Sequence, residues 1–199
     1  LKRVTQVGVP AVMLPTLTTG NITAGGTGKT PLVEWLARWF RARGVRVAVL
    51  SRGYGRQALP EDRAEHPGND ETEMLAANLP DVPQLVNPDR VASARVAVDE
   101  LDMQCLILDD AFQHRRIDRD LDLVTIDALN PFGFGHLLPR GLLREPKRGL
   151  RRADVIVMTR CDQAADLDRL RTRLSRLAPE ADLVESAHRP VDLVTADGA

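Results

Sequence analysis

Asn21-Ile22-Thr23-Ala24-Gly25-Gly26-Thr27-Gly28-Lys29-Thr30-Pro31 is the stretch on which the fold turns. An apolar run, Ala11 to Leu17, leads into it, and an amphipathic stretch, Leu32 to Phe40, leads out. Strand, glycine loop, Lys-Thr and helix thus follow in the order a phosphate-binding P-loop needs. Gly25, Gly26 and Gly28 let the backbone bring its N–H groups close to an anion. Lys29 can reach the β- and γ-phosphates, the Thr30 hydroxyl can sit on Mg²⁺, and the new helix points the positive end of its dipole at the same place. Thr23 stands where the pattern G-x-x-x-x-G-K-[ST] has its first glycine. The expected ligand is a nucleoside triphosphate, held by Thr23, Ala24, Gly25, Gly26, Thr27, Gly28, Lys29 and Thr30. A glycine-rich turn before an ordinary helix is the competing reading.

The 199 residues suffice for one well-buried α/β domain, and 43% hydrophobic with 28% charged residues is the balance of a folded globular chain. The net charge is −1, so no global basic field argues for a nucleic-acid partner. Only Lys2, Lys29 and Lys147 are lysines in an otherwise arginine-based chain, which makes the P-loop lysine a less casual choice. Cys105 and Cys161 make no disulfide framework and point to a reducing compartment. No signal-peptide pattern and no apolar run of the roughly 20 residues that a spanning helix needs is present.

Downstream, Leu32, Val33, Leu36, Ala37 and Phe40 form a helical stripe that Gly44 stops. Val45 to Leu50 reads as a buried parallel strand ending in Ser51-Arg52-Gly53-Tyr54-Gly55, a loop expected at the ligand edge. Asp70 opens a helix through Leu79, Gln84 to Val86 is a short strand, and Asp89 caps a helix to about Glu100. Cys105-Leu106-Ile107-Leu108 runs apolar into Asp109-Asp110, the pattern of a Walker B strand whose acid holds Mg²⁺. Leu121 to Asp127, Val155 to Met158 and Asp182 to Glu185 are further strands, and Asp166 to Leu177 is a helix. Asn130 to Pro146 is long and irregular, which in a compact domain points to function. Arg140, Arg144, Lys147, Arg148, Arg151 and Arg152 make this part of the chain the most basic. The expected architecture is a P-loop NTPase-like three-layer α/β/α fold with a mostly parallel sheet and the nucleotide at its C-terminal edge.

Several segments then narrow the reaction. Gly20-Asn21-Ile22-Thr23 with the P-loop, Ser51-Arg52-Gly53-Tyr54-Gly55, Asn69-Asp70-Glu71 and Asn87-Pro88-Asp89-Arg90 come first. Asp109-Asp110-Ala111-Phe112-Gln113-His114 and Leu138-Pro139-Arg140-Gly141-Leu142-Leu143-Arg144-Glu145-Pro146 complete the set. In this order they closely resemble the tetraacyldisaccharide 4′-kinase family, the lipid A 4′-kinases of Gram-negative bacteria, over roughly residues 12–162. That family tolerates Ser or Thr at the position of Thr23.

The resemblance implies ATP-dependent phosphorylation of the 4′-hydroxyl of a tetraacylated glucosamine disaccharide 1-phosphate, at the cytoplasmic face of the inner membrane. The partners it implies are that glycolipid and the membrane surface; the cofactors are ATP and Mg²⁺. Carried over by position, Asp70 is the catalytic base, with Lys29 and Arg144 beside the phosphates. Thr30, Asp109, Asp110 and Glu145 make the metal set. The residues alone leave Asp70 open as a helix N-cap and leave Arg144 and its neighbours open as a solvated face or an acidic-lipid contact. Gly68-Asn69-Asp70-Glu71-Thr72 also departs from the family's Gly-Asp-Glu-Pro. Measured against the family, residues 1–199 are expected to be one P-loop kinase domain from a fragment lacking an N-terminal membrane helix and a C-terminal lobe. No residue, His188 included, is assigned as partner to the base. Two competing functions are a GTPase or ATPase switch, suggested by Thr159-Arg160-Cys161-Asp162 where GTPases read their base, and a nucleotide-binding fragment without activity.

Overall fold

The computed structural model describes residues 14–53 and 70–187, the side chains of 70–72 excepted. Seven strands form one sheet: β1 (Thr16–Asn21), β2 (Val47–Ser51), β3 (Gln84–Val86), β4 (Cys105–Leu108), β5 (Leu121–Asp127), β6 (Val155–Thr159) and β7 (Asp182–Glu185). They lie in the order β3-β2-β4-β1-β5-β6-β7, and every pairing is parallel. The mostly parallel sheet expected from the sequence is therefore wholly parallel. Among the described residues four α-helices accompany it: α1 (Lys29–Arg41), α2 (Asp70–Asn78), α3 (Arg90–Arg95) and α4 (Leu167–Leu177). A π-helical segment, Val96–Glu100, continues α3 to the expected end near Glu100.

Residue alternation shows that both sheet faces are covered. In β2, Val47 and Val49 pack with Val33, Leu36 and Leu75 of α1 and α2, while Ala48 and Leu50 pack with Ala94 and Ala97 on the other side. In β4, Cys105 and Ile107 take the first side, Leu106 and Leu108 the second. Period-two side chains buried on alternating faces are what a doubly covered parallel sheet requires. A third cluster, with Phe112, Val124, Ile126, Leu143, Leu150 and Ile156, draws the 130–150 segment onto the sheet beside α4. Each fully buried leucine there contributes roughly 2 kcal/mol over an exposed one.

One element sits later than the sequence suggests. The apolar run Ala11–Leu17 is not the strand: β1 runs Thr16–Asn21, and residues 11–13 lie outside the described residues. Thr16, Thr18 and Thr19 look like loop residues but are buried, because each hydroxyl finds an acceptor: the Leu14 carbonyl at 3.0 Å, the Asp122 carboxylate, and the Leu108 carbonyl at 3.4 Å. Satisfied hydroxyls carry little burial penalty, so β-branched threonines serve as strand core.

β1 lies at the middle of the sheet, where successive connections turn to opposite sides: β4 is its neighbour on one flank and β5 on the other. Ligands of open α/β sheets bind at the C-terminal ends of strands at such a switch point. The loop after β1 is the Gly-Lys-Thr loop.

Candidate active site

The loop 22–28 crosses the C-terminal end of β1 and turns into α1 through Gly28, whose φ of 81° is left-handed. A Cβ there would also meet the Thr159 methyl at 3.1 Å, so both backbone and space call for glycine. Gly20 is required by approach alone, since its added Cβ would lie 2.6 Å from that of Phe112. Thr27 is buried and fixed by side-chain hydrogen bonds to Asn21 (2.9 Å) and Thr125 (2.7 Å), and its carbonyl accepts the Thr159 hydroxyl at 3.0 Å. Asn21, Thr125 and Thr159 thus brace the loop from β1, β5 and β6.

The start of α1 differs from those of α3 and α4. Asp89 caps α3 and Asp166 caps α4, each accepting a backbone N–H with its carboxylate. The first turn of α1 has no side-chain cap and no acidic residue. Its free amide groups and dipole are therefore left to an outside anion. Lys29 and Thr30 occupy that first turn and are buried.

Opposite stands Asp110, just past β4. Its carboxylate is held by both oxygens on one guanidinium nitrogen of Arg144, at 2.8 and 2.7 Å, and lies 3.8 Å from the Lys29 ammonium. Its φ is 47°, a left-handed turn that Asp tolerates better than most residues. Beneath it the buried Arg90 donates to the carbonyls of Asp109 (2.8 Å) and Asp110 (3.3 Å), and the Thr19 hydroxyl reaches the Asp109 carboxylate at 3.4 Å. Two cations against one carboxylate, next to uncapped amides, leave a local positive excess suited to a polyanion.

Arg144 arrives there by a short piece of backbone pairing. Ala24 N–H donates to the Leu142 carbonyl and Arg144 N–H to the Ile22 carbonyl, both at 2.7 Å, with Thr23 and Leu143 paired antiparallel between them. Leu143 is buried, and its neighbours Arg144 and Glu145 are turned toward the P-loop edge. The Glu145 carboxylate accepts from Gln113 and Arg152, both at 2.9 Å, and Gln113 also donates to the Asn21 carbonyl at 2.8 Å. The irregular stretch Asn130–Pro146 is therefore an ordered strap that carries charge to the P-loop.

Of the residues singled out from sequence, Thr23, Ala24, Thr27, Gly28, Lys29, Thr30, Asp109, Asp110, Arg144 and Glu145 come together here, with Gly25 and Gly26 at the exposed crest of the loop. Asp70 is placed only by its backbone, as the first residue of α2, and its side chain lies outside the described residues, as do Tyr54 and Gly55. Among the described residues no three His, Cys, Asp or Glu side chains form a metal-holding group by themselves, so an ion here would need ligands from outside this set. Sequence reasoning gave Arg90, Gln113, Arg152 and Thr159 no place in this site; all four lie within segments it singled out, but nothing in the spacing assigned them these partners. Arg160, in the segment suggestive of base reading, has a left-handed φ of 56° and is ion-paired with Asp127. His114 is held below the usual histidine range by burial and by the charges of Arg90, Arg119 and Arg116.

Residues 3–197 match the model of the tetraacyldisaccharide-1-P 4′-kinase family. A tetraacyldisaccharide 4′-kinase of Anaeromyxobacter sp. strain Fw109-5 is 46% identical over 200 residues, covering 95% of this chain and 52% of that protein. The Geobacter sulfurreducens protein of the same name is 45% identical over 157 residues, 74% of this chain and 44% of that one. Among solved structures, LpxK from Aquifex aeolicus in complex with ATP superposes with a TM-score of 0.65 at 33% identity, over 75% of this chain and 49% of that one. The hydrogenase maturation factor HypB from Archaeoglobus fulgidus, at 13% identity and a TM-score of 0.60, shares the fold. The chain spans about half the length of the curated relatives it matches.

Proposed function

The chain belongs to the tetraacyldisaccharide-1-P 4′-kinase family, and from that premise we propose that it is the nucleotide-binding part of an ATP-dependent lipid A 4′-kinase. The acceptor is the 4′-hydroxyl of a tetraacylated glucosamine disaccharide 1-phosphate, met at the cytoplasmic face of the inner membrane. The observation that carries this reading is the convergence of Lys29, Arg144 and the uncapped start of α1 on one spot beside Asp110. Phosphoryl transfer asks a protein mainly for positioning and for charge neutralisation at the transferring group. Lys29 and the α1 amides bind the triphosphate, and Arg144 answers the charge that develops on it. Asp70, at the mouth of α2, takes the proton of the attacking hydroxyl, the role the family assigns to its position.

The donor set suits Mg²⁺ rather than a softer ion: a buried threonine hydroxyl and carboxylates, with no cysteine or histidine cluster among the described residues. Thr30, Asp109 and Asp110 would hold it together with phosphate oxygens and water, and Glu145 would contribute through the oxygen that Gln113 and Arg152 leave free. When bound, Mg²⁺ neutralises charge on the β- and γ-phosphates. Arg160 is taken up by an ion pair with Asp127, which gives the nucleotide-switch reading no support. The decisive experiment is transfer of radiolabelled phosphate from ATP to the tetraacyldisaccharide 1-phosphate by the full-length protein. Label on the glycolipid, with GTP a poor donor, is the expected result; nucleotide hydrolysis indifferent to glycolipid sinks the proposal.

A further inference from the structure

Glu145 is held from three sides, and one of the holders has no part yet in the chemistry. Past Pro146 the chain enters a 3₁₀ helix, Lys147–Arg152, that folds back onto the Glu145 carboxylate. This helix is anchored by Leu150, which is fully buried, and by the Gly149 N–H on the Pro146 carbonyl at 2.8 Å. A Cβ on Gly149 would lie 2.7 Å from the Glu145 carboxylate carbon and 3.1 Å from Arg152 Nη1, so glycine alone lets helix and carboxylate lie this close. Arg152 Nη2 donates to Glu145 Oε1 at 2.9 Å. The same oxygen takes the Gln113 amide at 2.9 Å.

The bond is not made as a pair selected for strength would make it. Guanidinium and carboxylate favour a two-pronged arrangement. Arg152 gives Glu145 a single hydrogen bond, and its buried Nε has no hydrogen-bond partner among the described residues. Its guanidinium carbon lies instead 4.3 Å over the Phe112 ring, a cation–π contact that fixes the plane of the group. Phe112 is fully buried and abuts Gly20 of β1. Gln113, the next residue, gives its amide also to the Asn21 carbonyl at 2.8 Å, where β1 ends. Phe112 and Gln113 thus tie both the arginine and the carboxylate to the strand from which the P-loop leaves. What this cluster supplies is orientation.

We propose that Arg152 is a positioning residue for phosphoryl transfer: seated on Phe112 and admitted by Gly149, it takes one oxygen of Glu145 and so sets that carboxylate against the P-loop. The role rests on the kinase reading, in which Glu145 belongs to the Mg²⁺ set, and Arg152 acts through the carboxylate rather than on the phosphates. Groups that orient a metal's ligand without reaching the metal typically govern its affinity by roughly 10- to 100-fold.

The test titrates Mg²⁺ against binding of a fluorescent ATP analogue to the full-length protein, a readout that needs no acceptor. Arg152→Ala and Gly149→Ala should each raise the Mg²⁺ concentration at half-maximal binding about tenfold. Affinity for the analogue in EDTA should stay within about twofold of the parent, which also shows that the variants fold. Arg152→Lys keeps a donor but not the planar group on the ring, so it should fall between the parent and Arg152→Ala. It carries the test if Arg152→Ala does not fold. Added to Glu145→Gln, Arg152→Ala should cost less than about a further twofold, because it acts through that carboxylate. An unchanged Mg²⁺ dependence in both Arg152 variants, equal losses with Mg²⁺ and with EDTA, or full additivity with Glu145→Gln leaves Arg152 a structural ion pair and overturns the proposal. The two readings fail separately. A parent that labels the glycolipid while its Arg152 variants keep their Mg²⁺ requirement loses only the positioning role. A parent whose Mg²⁺ requirement depends on Arg152 but which never labels the glycolipid loses only the kinase reading.

Discussion

Two arginine–aspartate pairs in this domain are alike in chemistry and opposite in setting. Arg119 and Asp122 pair at 3.1 Å with side chains only 12% and 13% exposed. All around them needs are met: Arg119 also donates to the Ala111 carbonyl at 3.1 Å, and Asp122 accepts from the Thr18 hydroxyl. Burial pushes the Asp122 carboxyl up from its ordinary value even so. Arg144 and Asp110 pair at 2.7 Å with side chains 28% and 21% exposed, and Lys29 stands beside them as a second cation. The first pair closes a hydrogen-bond network under β1 and β5. The second faces solvent at the P-loop and has more positive charge than its aspartate can use. A closed network contributes fixed geometry. An open one with surplus charge can exchange its carboxylate for phosphate.

That contrast can be broken most forcefully at Lys29. Lys29→Ala should lower phosphate transfer by about 10⁴-fold, the scale of losing a principal cation at a transferring phosphoryl group. Its unfolding midpoint should hardly move, because the lysine lies in the open cluster; a large drop in midpoint would put Lys29 with the structural pair. Asp70→Asn should lower kcat by about 10³-fold while ATP affinity changes by about twofold or less, as for a base that touches only the acceptor. Equal losses in both would make Asp70 a helix cap.

On the structural side, Asp122→Ala should cost about 3 kcal/mol of stability in denaturant titration by stranding the buried Arg119. ATP binding at saturating protein should survive it. Arg144→Ala should show the mirror image: about 10²-fold in transfer rate and less than about 1 kcal/mol in stability, since the guanidinium is partly solvated and its partner keeps Lys29. If Arg144→Ala unfolds the domain while Asp122→Ala does not, the division between the two pairs is wrong.

The same division marks how far the sequence could be read. The open cluster rests on contiguous signals: Gly28-Lys29-Thr30 between a strand and a helix, and Asp109-Asp110 at the end of an apolar run. These are local patterns with a fixed chemical purpose, so they were readable in place. The closed cluster is made by strand order. Thr18 and Asp122 are 104 residues apart and meet because β5 lies against β1, a neighbour relation that no local period encodes. Arg90, Gln113 and Thr159 stayed silent for the same reason: each acts on a carbonyl or carboxylate of another element. The misplacement of β1 follows too, because threonine hydroxyls look solvent-bound until their distant acceptors are known. The approach of the Arg144-Glu145 pair to the P-loop was legible only through family resemblance, since a basic loop has ordinary structural uses.

The smallest effect tests a residue between the two pairs. His114 feels Arg90, which ties down the Asp109 and Asp110 carbonyls, and Arg119, the partner of Asp122. Its Nε2 is buried with no hydrogen-bond partner. Burial first, then these arginines and Arg116, hold its pKa below the ordinary histidine value, so the folded protein keeps the ring neutral at a pH where the unfolded chain has begun to take up a proton. The sign follows: the unfolded state binds more protons, and stability falls as pH drops below about 6.5 toward the depressed folded value. Above that range the contribution is fully present and flat. His114→Gln keeps a polar side chain without the titration, so its unfolding temperature should lose less between pH 7 and pH 5 than the parent's, a difference of about 2 °C or less. An identical pH slope in both proteins would mean that His114 is solvated and the two arginines do not reach it, and the two clusters would then be electrostatically separate.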